Sequence, residues 1–287
     1  NFYELEQIDK INLNAGNIDK IIFHGLFLES AVNKLFHEPD LLEKAYWIIW
    51  GGDLYNAQRD EKNDFVRKNF KKFGIETIPD MDFYRKQYNS DKEYIKVMYI
   101  YPLKKEMLDN SIRKPGNTIN IQVNNSADDS TLEMLDQLAK FKDKNIIVRT
   151  ILSYGKLEFR DRIIRKGNEI FGEKFEYLDT LLNPEEYSSF IAQNDIFILN
   201  QNRQQGLGNT LANVYLGNKV FIRSEVSTSR HLNDEGIRIF DTGMIGDMDF
   251  AEFINFPEAI KVNNKKEVAK YYNEEYLKIL WGKLFND

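Results

Sequence analysis

The segment Asn202, Arg203, Gln204, Gln205, Gly206, Leu207, Gly208, Asn209, Thr210 sits between an apolar run, Asp195 to Leu199, and a helix-like stretch, Asn209 to Leu216. Gly206 and Gly208 carry no side chain, so backbone N–H groups can face an anion there. The dipole of the following helix adds partial positive charge, and Arg203 adds a full one. With Gln204, Gln205, Asn209 and Thr210, this is a candidate diphosphate cradle. It fits neither a P-loop nor a complete G-x-G-x-x-G, because position 211 is Leu.

Three other segments place chemistry at the ends of apolar runs. His24 and Gly25 follow Lys20 to Phe23, where an imidazole can move a proton or donate to a phosphate. Trp50, Gly51, Gly52, Asp53, Leu54 and Tyr55 combine two glycines that admit a close ligand with a carboxylate able to accept a proton. Asn124, Asn125 and Ser126 follow Ile119 to Val123 and suit phosphate oxygens at a helix start. Each segment also reads as ordinary structure: a packing histidine, a tight turn with an Asp cap, an Asx turn. The triplets Asp80-Met81-Asp82 and Asp247-Met248-Asp249 could bridge a divalent cation, but both precede helix-like runs and read as N-caps.

Strand-like and helix-like segments alternate along the chain, which predicts α/β architecture with mostly parallel sheets. Strands are expected near 20–23, 46–50, 75–78, 95–101, 119–123, 145–152, 175–178, 195–199, 220–223 and 238–240. Asp60 to Phe73 reads as one helix stopped by Gly74. Asn183 followed by Pro184 reads as an N-cap with proline at the first helical position. Lys265 to Phe285 reads as one long aromatic helix. A linker at 110–117 divides the chain into a domain at 1–116, a ligand-binding domain at 117–262, and a C-terminal helix at 263–287 packing back on the first domain. The first block is short by about two βα units of roughly 30 residues each. Asn1 to Ala15 therefore reads as a linker or the end of an upstream element.

Composition narrows the function. Of 287 residues, none is Cys and three are His, which excludes Cys-ligated metal sites and disulfides. A formal net charge of −6 argues against a general nucleic-acid binder. No apolar run is long enough to span a bilayer. Residues 59–116 carry 14 Lys+Arg against 10 Asp+Glu. The basic stretch 60–73, with Arg67, Lys68, Lys71 and Lys72, is a candidate contact for anionic membrane, or a solvated helix face.

In order, the chain carries Phe-His24-Gly25-Leu-Phe, Trp50-Gly51-Gly52-Asp53-Leu-Tyr55, Asn125-Ser126-x-Asp128-x-Ser130 and Arg203-Gln204-Gln205-Gly206-Leu207-Gly208. Over about residues 20–285 this resembles the 4-acetamido-4,6-dideoxygalactose (Fuc4NAc) transferases, also described as 4-alpha-L-fucosyltransferases. These build the lipid-linked trisaccharide of enterobacterial common antigen. The sequence departs from that family at position 124, Asn where Gly is usual, and has fewer residues ahead of His24.

The resemblance implies a GT-B glycosyltransferase with two Rossmann-like domains facing across a cleft. It implies a dTDP-sugar or other nucleotide-sugar donor, a polyprenyl-diphosphate-linked glycan acceptor, no bound metal, and a cytoplasmic or inner-membrane-face location. On this reading Asn125, Ser126, Tyr154, Gly155, Arg203, Gln204, Gln205, Gly206, Gly208, Asn209 and Thr210 bind donor. Gly25, Gly51, Gly52 and Tyr55 line the acceptor side. Asp53, or His24, is the base if the reaction inverts configuration. The alternatives are another nucleotide-sugar enzyme such as an epimerase, or a non-catalytic binding module. The spacing of Tyr101 and Lys105 allows an epimerase, but its N-terminal glycine fingerprint is absent.

Overall fold

The computed structural model describes residues 12–13, 18–113, 116–155 and 157–287. The expectation for Asn1 to Ala15 lies outside them, apart from Asn12 and Leu13. The chain divides into two units, Asn1–Tyr99 with Glu274–Asp287, and Ile100–Asn273. Both are α/β, and every strand pair in them is parallel.

The first unit holds β1 (Ile21–His24), β2 (Ala45–Ile48), β3 (Lys72–Ile75) and β4 (Tyr94–Lys96), paired in that order. All four residues of β2 are buried, as a strand covered on both faces requires. Trp47, Phe70, Phe73 and Tyr84 pack edge-on or tilted around this strand. The helix expected over 60–73 ends at Asn69. Asp60 caps it by accepting from the Asn63 N–H at 2.7 Å, and Phe70 leaves helical geometry (φ −51°, ψ 143°). Phe73 and Gly74 therefore belong to β3, and Gly74 is not a helix stop. A methyl on Gly74 would lie 2.3 Å from the Ile48 side chain, so strand packing explains this glycine.

The second unit holds β5 (Ile119–Val123), β6 (Ile146–Ile151), β7 (Phe175–Leu178), β8 (Ile196–Leu199), β9 (Lys219–Ile222) and β10 (Phe240–Asp241). The sheet order is β10-β9-β8-β5-β6-β7. This is the doubly wound order of a dinucleotide-binding domain, and its direction reverses between β5 and β8. Helix Pro184–Ile191 opens with a capping box between Asn183 and Glu186, matching the sequence signal. Asp249 makes a second capping box with Glu252. Asp80 is not a cap. It lies inside helix Ile78–Tyr88 and accepts from the Thr77 and Tyr55 hydroxyls.

The division of the chain differs from 1–116, 117–262 and 263–287 at both ends of the second unit. Residues 100–113 pack within it, because Leu108 is buried and Asp109 accepts from the Tyr215 hydroxyl at 2.7 Å. The expected long C-terminal helix is broken. Helix Glu258–Val268 stays in the second unit, Asn273 is extended, and helix Glu274–Phe285 joins the first. There Trp281 donates to the Met98 carbonyl at 2.9 Å, and Leu280 and Leu284 are buried.

Phe73→Ala should lower stability by about 3–5 kcal/mol, the cost of emptying a fully buried aromatic site. Urea unfolding monitored by tryptophan fluorescence measures it.

Candidate donor site and acceptor-side residues

In an open parallel sheet, ligands sit beyond the carboxyl ends of the strands where the order reverses. Here that place is formed by the loops after β5 and β8. Asn124, the first residue after β5, has φ +52°. That left-handed conformation is one glycine or asparagine tolerates best. Asn here keeps that backbone and adds a side chain. Its Oδ1 accepts from the Asn200 N–H at 2.7 Å, and its Nδ2 donates to Ser130 Oγ and Thr131 Oγ1, both at 2.9 Å. One amide thus ties together β5, β8 and the start of helix Asp129–Leu138.

The two loops are also stitched directly. Gln205 Nε2 donates to Ser126 Oγ at 2.9 Å. Gln201 Nε2 donates to Ser126 Oγ and Asp128 Oδ2, both at 2.6 Å. Gly206 sits at φ +65°, where an added Cβ would lie 2.2 Å from Asn125 Nδ2. Gly208 faces the Tyr101 ring, with an added Cβ 2.5 Å away. Gly155 (φ +99°) lies against the Ala127 backbone, and the Ala127 N–H donates to the Tyr154 carbonyl at 2.8 Å.

Helix Leu207–Tyr215 starts at Gly206, and no side chain among the described residues caps its N-terminus. Its first N–H groups remain available to an anion. Arg203 is half-buried. Its one hydrogen bond within the loop runs to the Gln204 carbonyl, 3.1 Å away. Among the described residues it has no carboxylate at ion-pair distance, unlike Arg149 with Glu176 or Arg223 with Glu133. Burial lowers its pKa, with Asp128 opposing. A guanidinium so placed remains charged at neutral pH.

Beside the cradle lies a cavity of about 220 Å³, lined in part by Tyr101, Asn125, Tyr154, Tyr187, Gly208 and Asn209. Among the described residues no charged side chain lines it, so it suits a flat uncharged group. The donor-site residues expected from sequence thus meet at one place, with two exceptions in role. Thr210 is fully buried, and its hydroxyl donates to the Gly206 carbonyl at 3.1 Å. Ser126 is buried and accepts from both glutamines. Both hold the cradle together. Sequence reasoning missed Gln201 and Tyr101 here. Gln201 lies two positions before the Arg-Gln-Gln-Gly segment, the only local signal it had.

On the first unit, Asp53 is 3% exposed. Its Oδ1 accepts from the Trp50 N–H at 2.9 Å. Its Oδ2 accepts from the Leu26 N–H at 2.9 Å and from Trp47 Nε1 at 2.6 Å. Burial raises its pKa, and these three donors oppose the rise. Its oxygens are thus committed to holding two strand tips, a geometry that disfavours the expected role as base. His24 is exposed, stacked on Trp281 with centroids 5.3 Å apart, and desolvation lowers its pKa below the usual 6.5. Gly25 (φ +83°) and Gly51 (φ +84°) shape the tips, and Gly52 begins the short helix Gly52–Tyr55. Tyr55 donates to Asp80 at 2.6 Å, which makes it a brace. Among the described residues, no group of three or more His, Asp or Glu is arranged to hold a metal ion. None of their helices is long and apolar enough to cross a membrane.

The fold is that of GT-B glycosyltransferases. A glycosyltransferase from Rickettsia africae ESF-5 superposes with a TM-score of 0.72 at 11% identity, covering 97% of this chain and 78% of that one. A UDP-forming alpha,alpha-trehalose-phosphate synthase from Burkholderia vietnamiensis gives 0.67 at 12%, covering 93% and 70%. WaaG, a glycosyltransferase involved in lipopolysaccharide biosynthesis, gives 0.56 at 11%, covering 95% and 78%. No curated protein sequence matches the chain. Residues 10–285 match the 4-alpha-L-fucosyltransferase family, glycosyl transferase group 56, and the chain belongs to that family. It is a glycosyltransferase.

Gly206→Ala should cost about 1–2 kcal/mol from the left-handed backbone alone. It should also displace Asn125 and weaken nucleotide binding more than it weakens the fold. Urea unfolding and nucleotide-induced thermal shift, measured side by side, separate the two effects.

Proposed function

We propose that the chain transfers a deoxy-amino sugar of the Fuc4NAc kind, or fucose, from a dTDP-linked donor to a glycan carried on polyprenyl diphosphate at the inner face of the cytoplasmic membrane. The observation that carries this reading is the adjacency, at the β5/β8 reversal, of a cavity with no charged lining among the described residues and a cation at a helix start with no ion-pair partner among them. The cavity takes the nucleobase, and the helix N-terminus with Arg203 takes the diphosphate. With no carboxylate in its lining, the cavity offers no anion to pair with the N–H edge of guanine, which favours a pyrimidine. The UDP-forming relative supports the same choice.

In transfer, an acceptor hydroxyl attacks the anomeric carbon, and the bond from that carbon to the diphosphate oxygen breaks. Negative charge grows on the leaving diphosphate. Arg203 and the N–H groups of the first turn of Leu207–Tyr215 stabilise it, a preorganised arrangement that is strong away from bulk water. If configuration inverts, His24 takes the hydroxyl proton, since it is exposed and neutral at pH 7, whereas the Asp53 oxygens are occupied. Transfer is expected to persist in EDTA. The membrane contact is not assigned to residues 60–73, because Arg67 is buried and Lys71 and Lys72 lie beyond the helix end. Tyr101 packs on Gly208 within the cradle, a role that needs no epimerase chemistry.

A thermal-shift panel of dTDP, UDP and GDP should show stabilisation by the pyrimidine nucleotides and little by GDP. Stabilisation by GDP alone would overturn the base assignment. Arg203→Ala should lower kcat by roughly 100-fold or more. Its unliganded stability should stay within about 0.5 kcal/mol of the parent; a large drop in stability would make Arg203 structural. With the His24 pKa below 6.5, the acid limb of the rate profile should lie below pH 6.5 and vanish in His24→Asn. An unchanged limb in that variant would remove His24 as the base.

A further inference from the structure

We propose that Trp50 and Phe27 form an aromatic platform that stacks against one pyranose ring of the acceptor glycan. The inference rests on the glycosyltransferase reading but not on the donor assignment. Phe27 follows β1 and Trp50 follows β2, so both lie at the carboxyl edge of neighbouring parallel strands. Their side chains are 58% and 43% exposed. Both rings close over Gly25. An added Cβ there would lie 2.5 Å from the Phe27 ring and 3.3 Å from Trp50 Cδ1.

The rings are exposed yet fixed. Tyr99 stacks on one face of the Trp50 indole at 4.4 Å and 17°, and the Tyr99 hydroxyl donates to the Ile49 carbonyl. Beneath them, the buried Asp53 carboxylate accepts the Trp50 N–H and the N–H of Leu26, the residue before Phe27. The Leu26 carbonyl in turn accepts from buried Arg67 at 3.3 Å. Burying a carboxylate and a guanidinium is expensive unless every group is paired. Here the carboxylate holds both short turns that carry exposed aromatic rings, and the guanidinium holds the first of them. Rings left open to water and held rigid are preorganised for a ligand.

The chemistry selects the ligand class. A pyranose presents a face of C–H groups, weakly positive, that packs on the negative face of an aromatic ring. Its hydroxyls need polar neighbours at the rim, and the exposed His24 imidazole, next to Gly25, provides one. A bilayer-inserting patch would instead carry basic neighbours, and Arg67, the arginine beside these turns, is buried beneath them.

Saturation-transfer NMR tests this with methyl glycosides of galactose, fucose and N-acetylglucosamine as probes. Transfer to the ring C–H protons of at least one glycoside is expected with the full chain. It should fall about tenfold in Trp50→Ala and in Phe27→Ala, and be largely kept in Trp50→Tyr. Far-UV circular dichroism checks that these surface variants fold. No transfer to any glycoside from the parent protein, or equal transfer from Trp50→Ala, would overturn the proposal. So would binding to phosphatidylethanolamine/phosphatidylglycerol vesicles that Trp50→Ala loses while glycoside transfer is unchanged. The nucleotide thermal shift reads the donor site independently. A lost glycoside signal with an intact nucleotide shift removes the platform alone, and the reverse result removes the donor assignment alone.

Discussion

The second unit depends on what happens at the end of β5. A parallel sheet that reverses its winding must let two neighbouring strands send their chains to opposite faces, which opens a gap at their carboxyl ends. Backbone polar groups in that gap need partners. Asn124 supplies one, accepting from the Asn200 N–H, while its amide also donates to the Ser130 and Thr131 hydroxyls. It can reach all three because its own backbone turns left-handed. The cradle loop, the helix that follows it and the cavity beside it all take their positions from this junction.

The interior beneath the junction is unusually rich in amides. Asn194 donates to Gln122 at 2.7 Å, and Asn218 donates to the Asn213 side chain at 2.9 Å. Asn213 donates to the Asn209 carbonyl at 2.9 Å. Each such bond contributes only about 1 kcal/mol net, whereas leaving a buried partner unpaired costs about 1–3 kcal/mol. The network therefore specifies geometry more than it adds stability. Asn194 also donates to the Asn213 side chain at 3.3 Å, which ties helix Leu207–Tyr215 to the start of β8 by a directional contact. Apolar packing alone would permit small rotations of that helix, and the available N–H groups would rotate with it.

Much of this was legible in the sequence where the physics is local. The strands of the second unit are apolar runs, the Asn183 cap is a two-residue signal, and Gly206 with Gly208 marks a close backbone approach. The first unit is harder, because its elements are short. Phe65, Val66, Phe70 and Phe73 keep a helical spacing although the chain turns extended at Phe70, so the pattern runs past the end of the helix into β3. The C-terminal aromatics likewise keep their period across the break at Asn273. Long-range partners leave no local trace. Nothing near Asn124 announces Asn200, 76 residues away, and nothing near Gly208 announces Tyr101. The surroundings of Asp53 were hidden for the same reason. Its segment shows a carboxylate beside two glycines, but the donors that occupy it include Leu26, 27 residues earlier.

Asp53 and Arg203 show how an enclosed charge reveals its role through its partners. Asp53 has its counterparts within the fold, three N–H groups directed at two oxygens, so its charge is stabilised whether or not a ligand is present. A group whose oxygens are already occupied is poorly placed to take a proton from a substrate, even though burial raises its pKa, but it holds backbone firmly. Arg203 is partly desolvated, and among the described residues no carboxylate lies at ion-pair distance from it, although Asp128 offsets part of the effect of burial. Its partial burial carries an electrostatic cost that Asp128 offsets in part and an incoming anion would offset further. Binding a diphosphate would therefore recover energy that the unliganded fold lacks, and the gain would grow as charge accumulates on the leaving group. A cation compensated within the protein would have to give up that partner first. Without an ion-pair partner among the described residues, Arg203 would be free to respond to the transition state in the proposed transfer.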